Sequence, residues 1–170
     1  MDIEKIETLI TKIPDFPKKG ILYYDLSSVI INSEAFKNSI EHLSFLISEY
    51  NFDNFAAIDA RGFIFASALA FKLNKGVILV RKKNKLPGNT KSIDYELEYG
   101  KDSLEINQNV KDMGIILVDD LLATGGTGVA ATKLLKNSGG DVRCFLSFIE
   151  LVFLGGKAKF DIPVKTLIKY

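Results

Sequence analysis

Between Ile115 and Thr127 the chain reads IILVDDLLATGGT: an apolar run of β character, two adjacent acids, and a Gly/Thr loop opening onto a helix-like segment. A strand ending near Val118, followed by Ala123-Thr124-Gly125-Gly126-Thr127, can gather backbone N–H groups and two hydroxyls around one phosphate. The helix start that follows adds a partial positive charge that favours anions. Asp119 and Asp120, placed just before this cup, would repel a bare phosphate. They make sense if the ligand also carries hydroxyls or a divalent cation. A phosphorylated sugar with free hydroxyls satisfies both halves.

Two other phosphate loops are weighed against this one. No Gly-x-x-x-x-Gly-Lys-Ser/Thr run occurs, which argues against a P-loop nucleotide hydrolase. Gly126-Thr-Gly128-Val-Ala-Ala131 has the Gly-x-Gly-x-x-Ala spacing of a dinucleotide fingerprint, with Glu150 near the expected distance. That turn normally begins directly after its strand, whereas here Asp119 to Gly125 intervene, and little chain remains after Glu150 to finish such a sheet. The dinucleotide reading stays open as an alternative.

The whole run from Val118 to Thr127 resembles the phosphoribosyl-pyrophosphate (PRPP) motif of the type I phosphoribosyltransferases. Further segments are similar to the adenine-specific branch of that family, and they occur in its order. They are Pro14-Asp15-Phe16-Pro17 with Gly20-Ile21-Leu22, Ala60-Arg61-Gly62-Phe63-Ile64-Phe65, Lys85-Leu86-Pro87-Gly88, Tyr95-Glu96-Leu97-Glu98-Tyr99-Gly100 and Leu167-Ile168-Lys169-Tyr170. The resemblance implies that Ala123, Thr124, Gly125, Gly126 and Thr127 hold the 5′-phosphate and that Asp119 and Asp120 take the ribose hydroxyls. It brings Arg61 and Lys82 to the pyrophosphate, and Leu22, Tyr24 and Leu121 to adenine. Glu98 aligns with the loop glutamate, a candidate for proton exchange at the purine N7. A cis peptide is expected at Ala60-Arg61. Many members carry Phe-Arg-Asp where this chain has Tyr23-Tyr24-Asp25, so a role of that arginine's side chain does not carry over to Tyr24. Asn84 stands where glycine is common.

Composition bounds the possibilities. A chain of 170 residues, 47% hydrophobic, is long enough for one well-buried core and is expected to form one domain, 1–170. A formal net charge of +1 gives no general attraction to nucleic acid. The longest apolar run, Gly62 to Phe71, is too short to span a bilayer, and the acidic Met1-Asp2-Ile3-Glu4 start shows no secretory signal. Cytoplasm is the expected compartment. The single cysteine, Cys144, lies in an apolar strand-like run and reads as a buried hydrophobe. The single histidine, His42, falls off the helical stripe Phe36, Ile40, Leu43, Ile47 and is expected to face water. A Ser-His-Asp or Cys-His mechanism therefore has no plausible base.

The elements that must position these residues alternate. Ile3 to Ile13 reads as an amphipathic helix ended by the Pro14, Pro17, Gly20 cluster, and Ser33 to Tyr50 as a second helix with Ser33 as N-cap. Phe55–Asp59, Gly76–Val80, Ile115–Val118 and Arg143–Ile149 read as strands, with helices at Phe63–Leu73 and Gly128–Leu135 between them. This rhythm predicts an α/β fold, a mostly parallel sheet with helices on both faces; the resemblance implies that it is the type I phosphoribosyltransferase fold, with residues 1–32 as an N-terminal hood segment. From Lys82 to Ile106 the rhythm breaks. Tyr95, Leu97 and Tyr99 alternate with acids, and Leu104 and Ile106 alternate after Gly100, which reads as a flexible two-stranded flap within 82–108.

Asp59-Ala-Arg61, Arg81-Lys82-Lys83 and Asp119-Asp120 all follow the carboxyl ends of predicted strands, where ligands of such sheets bind. Cations from two of these clusters suit a polyanion, at about 1.5–3 kcal/mol per charge-assisted hydrogen bond. Side-chain alternation argues against a shared-proton pair at Asp119 and Asp120 unless the strand ends before them. The implied reaction is displacement of pyrophosphate from PRPP by adenine N9, giving AMP through an oxocarbenium-like transition state. The expected Mg²⁺ is carried by pyrophosphate and ribose hydroxyls, with no direct protein ligand. The resemblance implies a homodimer, for which Phe16, Ile21 and Phe63 offer apolar surface. A hypoxanthine or xanthine specificity and a non-enzymatic PRPP-sensing regulator are the alternatives.

Overall fold

Buried apolar runs build the sheet of this chain, seen in a computed structural model that describes residues 1–97 and 100–170. The chain divides into two units, Met1–Phe45 and Leu46–Tyr170.

In the first unit, helix α1 (Ile3–Thr8) begins on Asp2, whose carboxylate accepts from the Lys5 amide. The helix expected to run to Ile13 stops early. Thr11–Pro14 forms strand β1, antiparallel to β2 (Leu22–Asp25), with Thr11 opposite Asp25 and Pro14 opposite Leu22. Thr11 and Ile13 are β-branched, and the turn through Gly20 supplies a partner strand, so pairing wins over helix propagation. Helix α2 (Ser27–Ile31) leads into α3 (Ser33–Leu46), which ends before the expected Tyr50. Its cap is Asn32, not Ser33, because the Asn32 amide oxygen accepts from the Ala35 N–H at 3.0 Å. His42 does not stand in water: it is half-buried, with Nε2 3.3 Å from the Met1 carbonyl.

The second unit holds β3 (Asn54–Ile58), α4 (Gly62–Leu73), β4 (Gly76–Lys82), β5 (Lys91–Leu97), β6 (Gly100–Ile106), β7 (Gly114–Leu122), α5 (Gly126–Asn137), β8 (Asp141–Glu150) and β9 (Val164–Lys169). Seven strands form one sheet in the order β5-β6-β4-β3-β7-β8-β9. The run from β4 through β9 is parallel, and β6 and β5 add an antiparallel edge, the expected flap hairpin. From β3 the chain crosses to β4 on one side, and from β7 it crosses to β8 on the other. Right-handed crossovers therefore put α4 and α5 on opposite faces. On the α5 face Ala56, Ile58, Val80, Leu104 and Leu117 pack with Ala131 and Leu134. On the other, Phe65 of α4 stacks on Phe148 of β8 at 5.0 Å. Truncating such a fully buried phenylalanine to alanine costs about 3–5 kcal/mol. Strand β9 and two 3₁₀ turns, Val152–Leu154 and Gly156–Lys159, were not anticipated.

Candidate active site

The direction of chain winding reverses between β3 and β7, and at such a reversal the loops leaving neighbouring strands part to leave a crevice at their carboxyl ends. Arg61 leaves β3 at the start of α4, and Asp119 and Asp120 lie on β7. Across this crevice Arg61 Nη2 stands 2.7 Å from Asp120 Oδ2. The approach is set by Gly62: a Cβ there would meet the Val118 carbonyl oxygen at 2.9 Å and Asp119 Cα at 3.2 Å, so only glycine lets the first turn of α4 press on β7. The cis peptide lies at Asp59-Ala60, one bond before the expected Ala60-Arg61. The motif locates the turn but not the bond within it.

The strand does not end before the two acids, as the sequence reading had it; β7 continues through both to Leu122. The Asp119 side chain turns back so that its Oδ1 accepts from the Asp120 N–H at 2.9 Å, and the Asp120 carboxyl is near enough to act on it. Burial, then the neighbouring Asp120 charge, pushes Asp119 well above the usual carboxylate range, with Arg61 opposing. Asp120 is buried, and among the described residues its Oδ2 has no donor aligned on it, the Arg61 contact being Coulombic. A buried acceptor in that condition can accept a hydrogen bond from a ligand hydroxyl beside its ion pair with Arg61.

Beyond Leu122 the loop Ala123–Gly125 turns into α5, and it closes because Gly125 adopts φ +82°, the left-handed region. A cavity of about 90 Å³ opens here, lined by Asp119, Leu121, Thr124, Gly126 and Thr127 among others. The predicted phosphate residues and Leu121 thus share one hollow at a helix N-terminus. Behind the loop lies a support that the sequence reading missed. A Cβ on Gly156 would stand 2.1 Å from the Ala123 carbonyl oxygen and 2.8 Å from Gly125 N, so the Gly156–Lys159 turn braces the loop backbone to backbone. The adjacent glycines 155 and 156, just after an apolar run, were the available signal. Gly128 is pressed in turn by Phe145 and Phe160.

Along the same sheet edge Arg81 Nε pairs with Asp59 Oδ2 at 3.1 Å and Lys82 Nζ with Asp102 Oδ2 at 2.9 Å. The base of the flap is fixed by buried Glu105, whose Oε1 accepts from the Lys85 and Leu86 amides, both at 2.9 Å. Those amides hold its carboxyl below the usual range. Asn84 has φ +64°, which explains why a glycine suits that position and why asparagine is tolerated. Leu22 and Tyr24 lie on β2 of the first unit, Leu22 exposed and Tyr24 buried with Lys12 Nζ 6.0 Å from its ring centre. Glu98 lies outside the described residues. Cys144 is buried, and burial pushes its thiol up to about 11, so it is no nucleophile. Among the described residues, no helix is long and apolar enough to cross a membrane, and no three His, Cys, Asp or Glu side chains gather into a metal cage.

Comparison with known proteins agrees with this geometry. Residues 27–152 match the phosphoribosyl transferase domain family. An adenine phosphoribosyltransferase of Caldanaerobacter subterraneus subsp. tengcongensis is 47% identical over 173 aligned positions, covering 100% of both chains. The crystal structure of adenine phosphoribosyltransferase from Thermoanaerobacter pseudethanolicus superposes with a TM-score of 0.97 at 45% identity, covering 99% of this chain and 100% of the other. The Saccharomyces cerevisiae enzyme, crystallised with an imino-altritol bisphosphate and adenine, gives 0.91 at 34% identity and 97% coverage of each chain.

Proposed function

The chain belongs to the adenine phosphoribosyltransferase family, and from that premise we propose that it salvages purine, joining adenine to PRPP to give AMP and pyrophosphate. The observation that supports this reading is one hollow at the start of α5, lined by Asp119 and by the Ala123–Thr127 loop that Gly156 braces, with the Asp120–Arg61 ion pair at the next residue of β7. The dinucleotide alternative falls with the family.

Under this reading, Ala123 to Thr127 hold the 5′-phosphate while Asp119 and Asp120 take the ribose hydroxyls and stabilise positive charge growing at C1. Arg61 and Lys82 receive the pyrophosphate. The adenine-binding residues of this reading are Leu22, Tyr24 and Leu121, with Tyr24 acting through its backbone, and Glu98 exchanges a proton at N7. The incoming base is itself the nucleophile, so the protein supplies position and charge, and the near-absence of His and Cys removes nothing the reaction needs. Mg²⁺ would neutralise charge on the departing pyrophosphate. Oxygen donors suit such an ion, and in this reading they come from the pyrophosphate and the ribose hydroxyls rather than from the protein, with Asp119 and Asp120 engaging the same ribose.

We take residues 1–170 as one functional domain, acting in the cytoplasm as a homodimer, with exposed Phe16 and Ile21 as candidate contact residues. The test is a panel of purines with pure protein, PRPP and Mg²⁺. AMP formation from adenine, with hypoxanthine and xanthine inert, is the expected result. A protein that turns over no purine defeats the enzyme reading and leaves a PRPP-sensing role.

A further inference from the structure

Lys82 ends β4 opposite Leu104 of β6, and Asp102, two residues along β6, lies opposite Tyr95 of β5. Directly paired residues and those two apart share a sheet face, so Lys82, Asp102 and Tyr95 project to the same side and lie within diagonal reach. The structure joins them. Asp102 Oδ2 accepts from Lys82 Nζ at 2.9 Å and from the Tyr95 hydroxyl at 3.4 Å, while Oδ1 accepts from the Ser103 amide at 2.8 Å. The Tyr95 oxygen in turn accepts from Thr127 Oγ1 at 3.5 Å. Three links, one short and two long, therefore run from the Lys82 ammonium to Thr127.

We infer that Asp102 is a positioning residue for Lys82: with Tyr95 steering it, its carboxylate holds the ammonium at a set reach from Thr127, as a ligand with a phosphate at each end requires. This rests on the reading of Lys82 as a pyrophosphate contact. An ammonium has three N–H groups and the Asp102 contact engages one, while the Lys82 side chain stays 57% exposed and within reach of a ligand. The flexible stem loses its rotamer freedom on folding rather than on binding. The Asp102 hydrogen bond also holds Lys82 above the ordinary amine value, keeping it charged in alkaline solution.

The experiment compares Asp102→Asn, Asp102→Glu, Tyr95→Phe and Lys82→Met in steady-state kinetics with adenine and PRPP, and in calorimetric binding of magnesium pyrophosphate. Asp102→Asn is expected to raise KM for PRPP about tenfold with kcat changed less than about twofold, and to move the alkaline limb of the kcat/KM profile to lower pH. Asp102→Glu should recover most of the loss, and Tyr95→Phe should show a loss of about two- to fourfold in the same direction. An unchanged or lowered KM for PRPP in Asp102→Asn overturns the proposal, since the carboxylate is then idle or a competitor. So does a fall in kcat and in affinity for both substrates together with a lowered Tm, which marks a plain flap staple. If Lys82→Met leaves PRPP and pyrophosphate binding intact, the reading of Lys82 itself fails.

Discussion

Gly156 and Ala123 touch backbone to backbone, so closely that no side chain fits between the turn after β8 and the loop after β7. Gly156→Ala must push the loop out of shape, because the obstructing atoms are main-chain and cannot rotate away. The expected result is a rise of tenfold or more, roughly, in KM for PRPP, with a Tm lowered by a few degrees. Kinetics and thermal melts read both, and a variant indistinguishable from the parent in KM would mean the brace has no part in phosphate binding.

Asp119 is expected to be a site where function opposes stability. Its carboxyl lies above the ordinary range in the folded chain, so folding favours its protonated form. That contribution is complete below the unfolded carboxylate value and is lost as pH rises through the folded one, leaving a penalty at neutrality. Asp119→Asn should therefore raise unfolding stability at pH 7 by about 1–3 kcal/mol while abolishing most turnover. The gain should shrink as pH falls towards 4. Urea unfolding at several pH values measures it, and a destabilised variant at neutral pH would contradict the assignment.

Cys144 carries the opposite end of the pH range. Its thiol is raised to about 11 by burial, whereas an unfolded cysteine ionises near 8.5. Stability should be unaffected below that lower value and decline as pH rises between the two. Native protein at pH 8 should resist thiol reagents over hours, and fast labelling without unfolding would show that the site is open.

Glu98 is tested by turnover. Glu98→Gln keeps size and polarity but cannot exchange a proton, so a fall in kcat of about 10²-fold with little change in either KM is expected. An unaltered kcat retires the proton-exchange role.

The placement of the candidate site was legible where it is local. Asp119 to Thr127 is one continuous segment, and the winding rhythm of strands and helices fixes which strand ends meet, so the convergence of Arg61, Lys82 and Asp120 on one edge could be reasoned out before any coordinates. What escaped depends on partners distant in sequence. Thr11–Pro14 looks helical until β2 is there to pair with it. Gly156 looks like any turn glycine until the loop it touches is known.

The brace behind the phosphate loop also dictates an order of assembly. A nascent polypeptide released from the ribosome as far as Glu150 already holds every residue that would meet the phosphate, yet lacks the turn that keeps their backbone in shape. Substrate affinity should thus arrive late in biosynthesis, after most of the sheet has paired, and stalled chains ending near Leu151 should fold their strands without retaining PRPP.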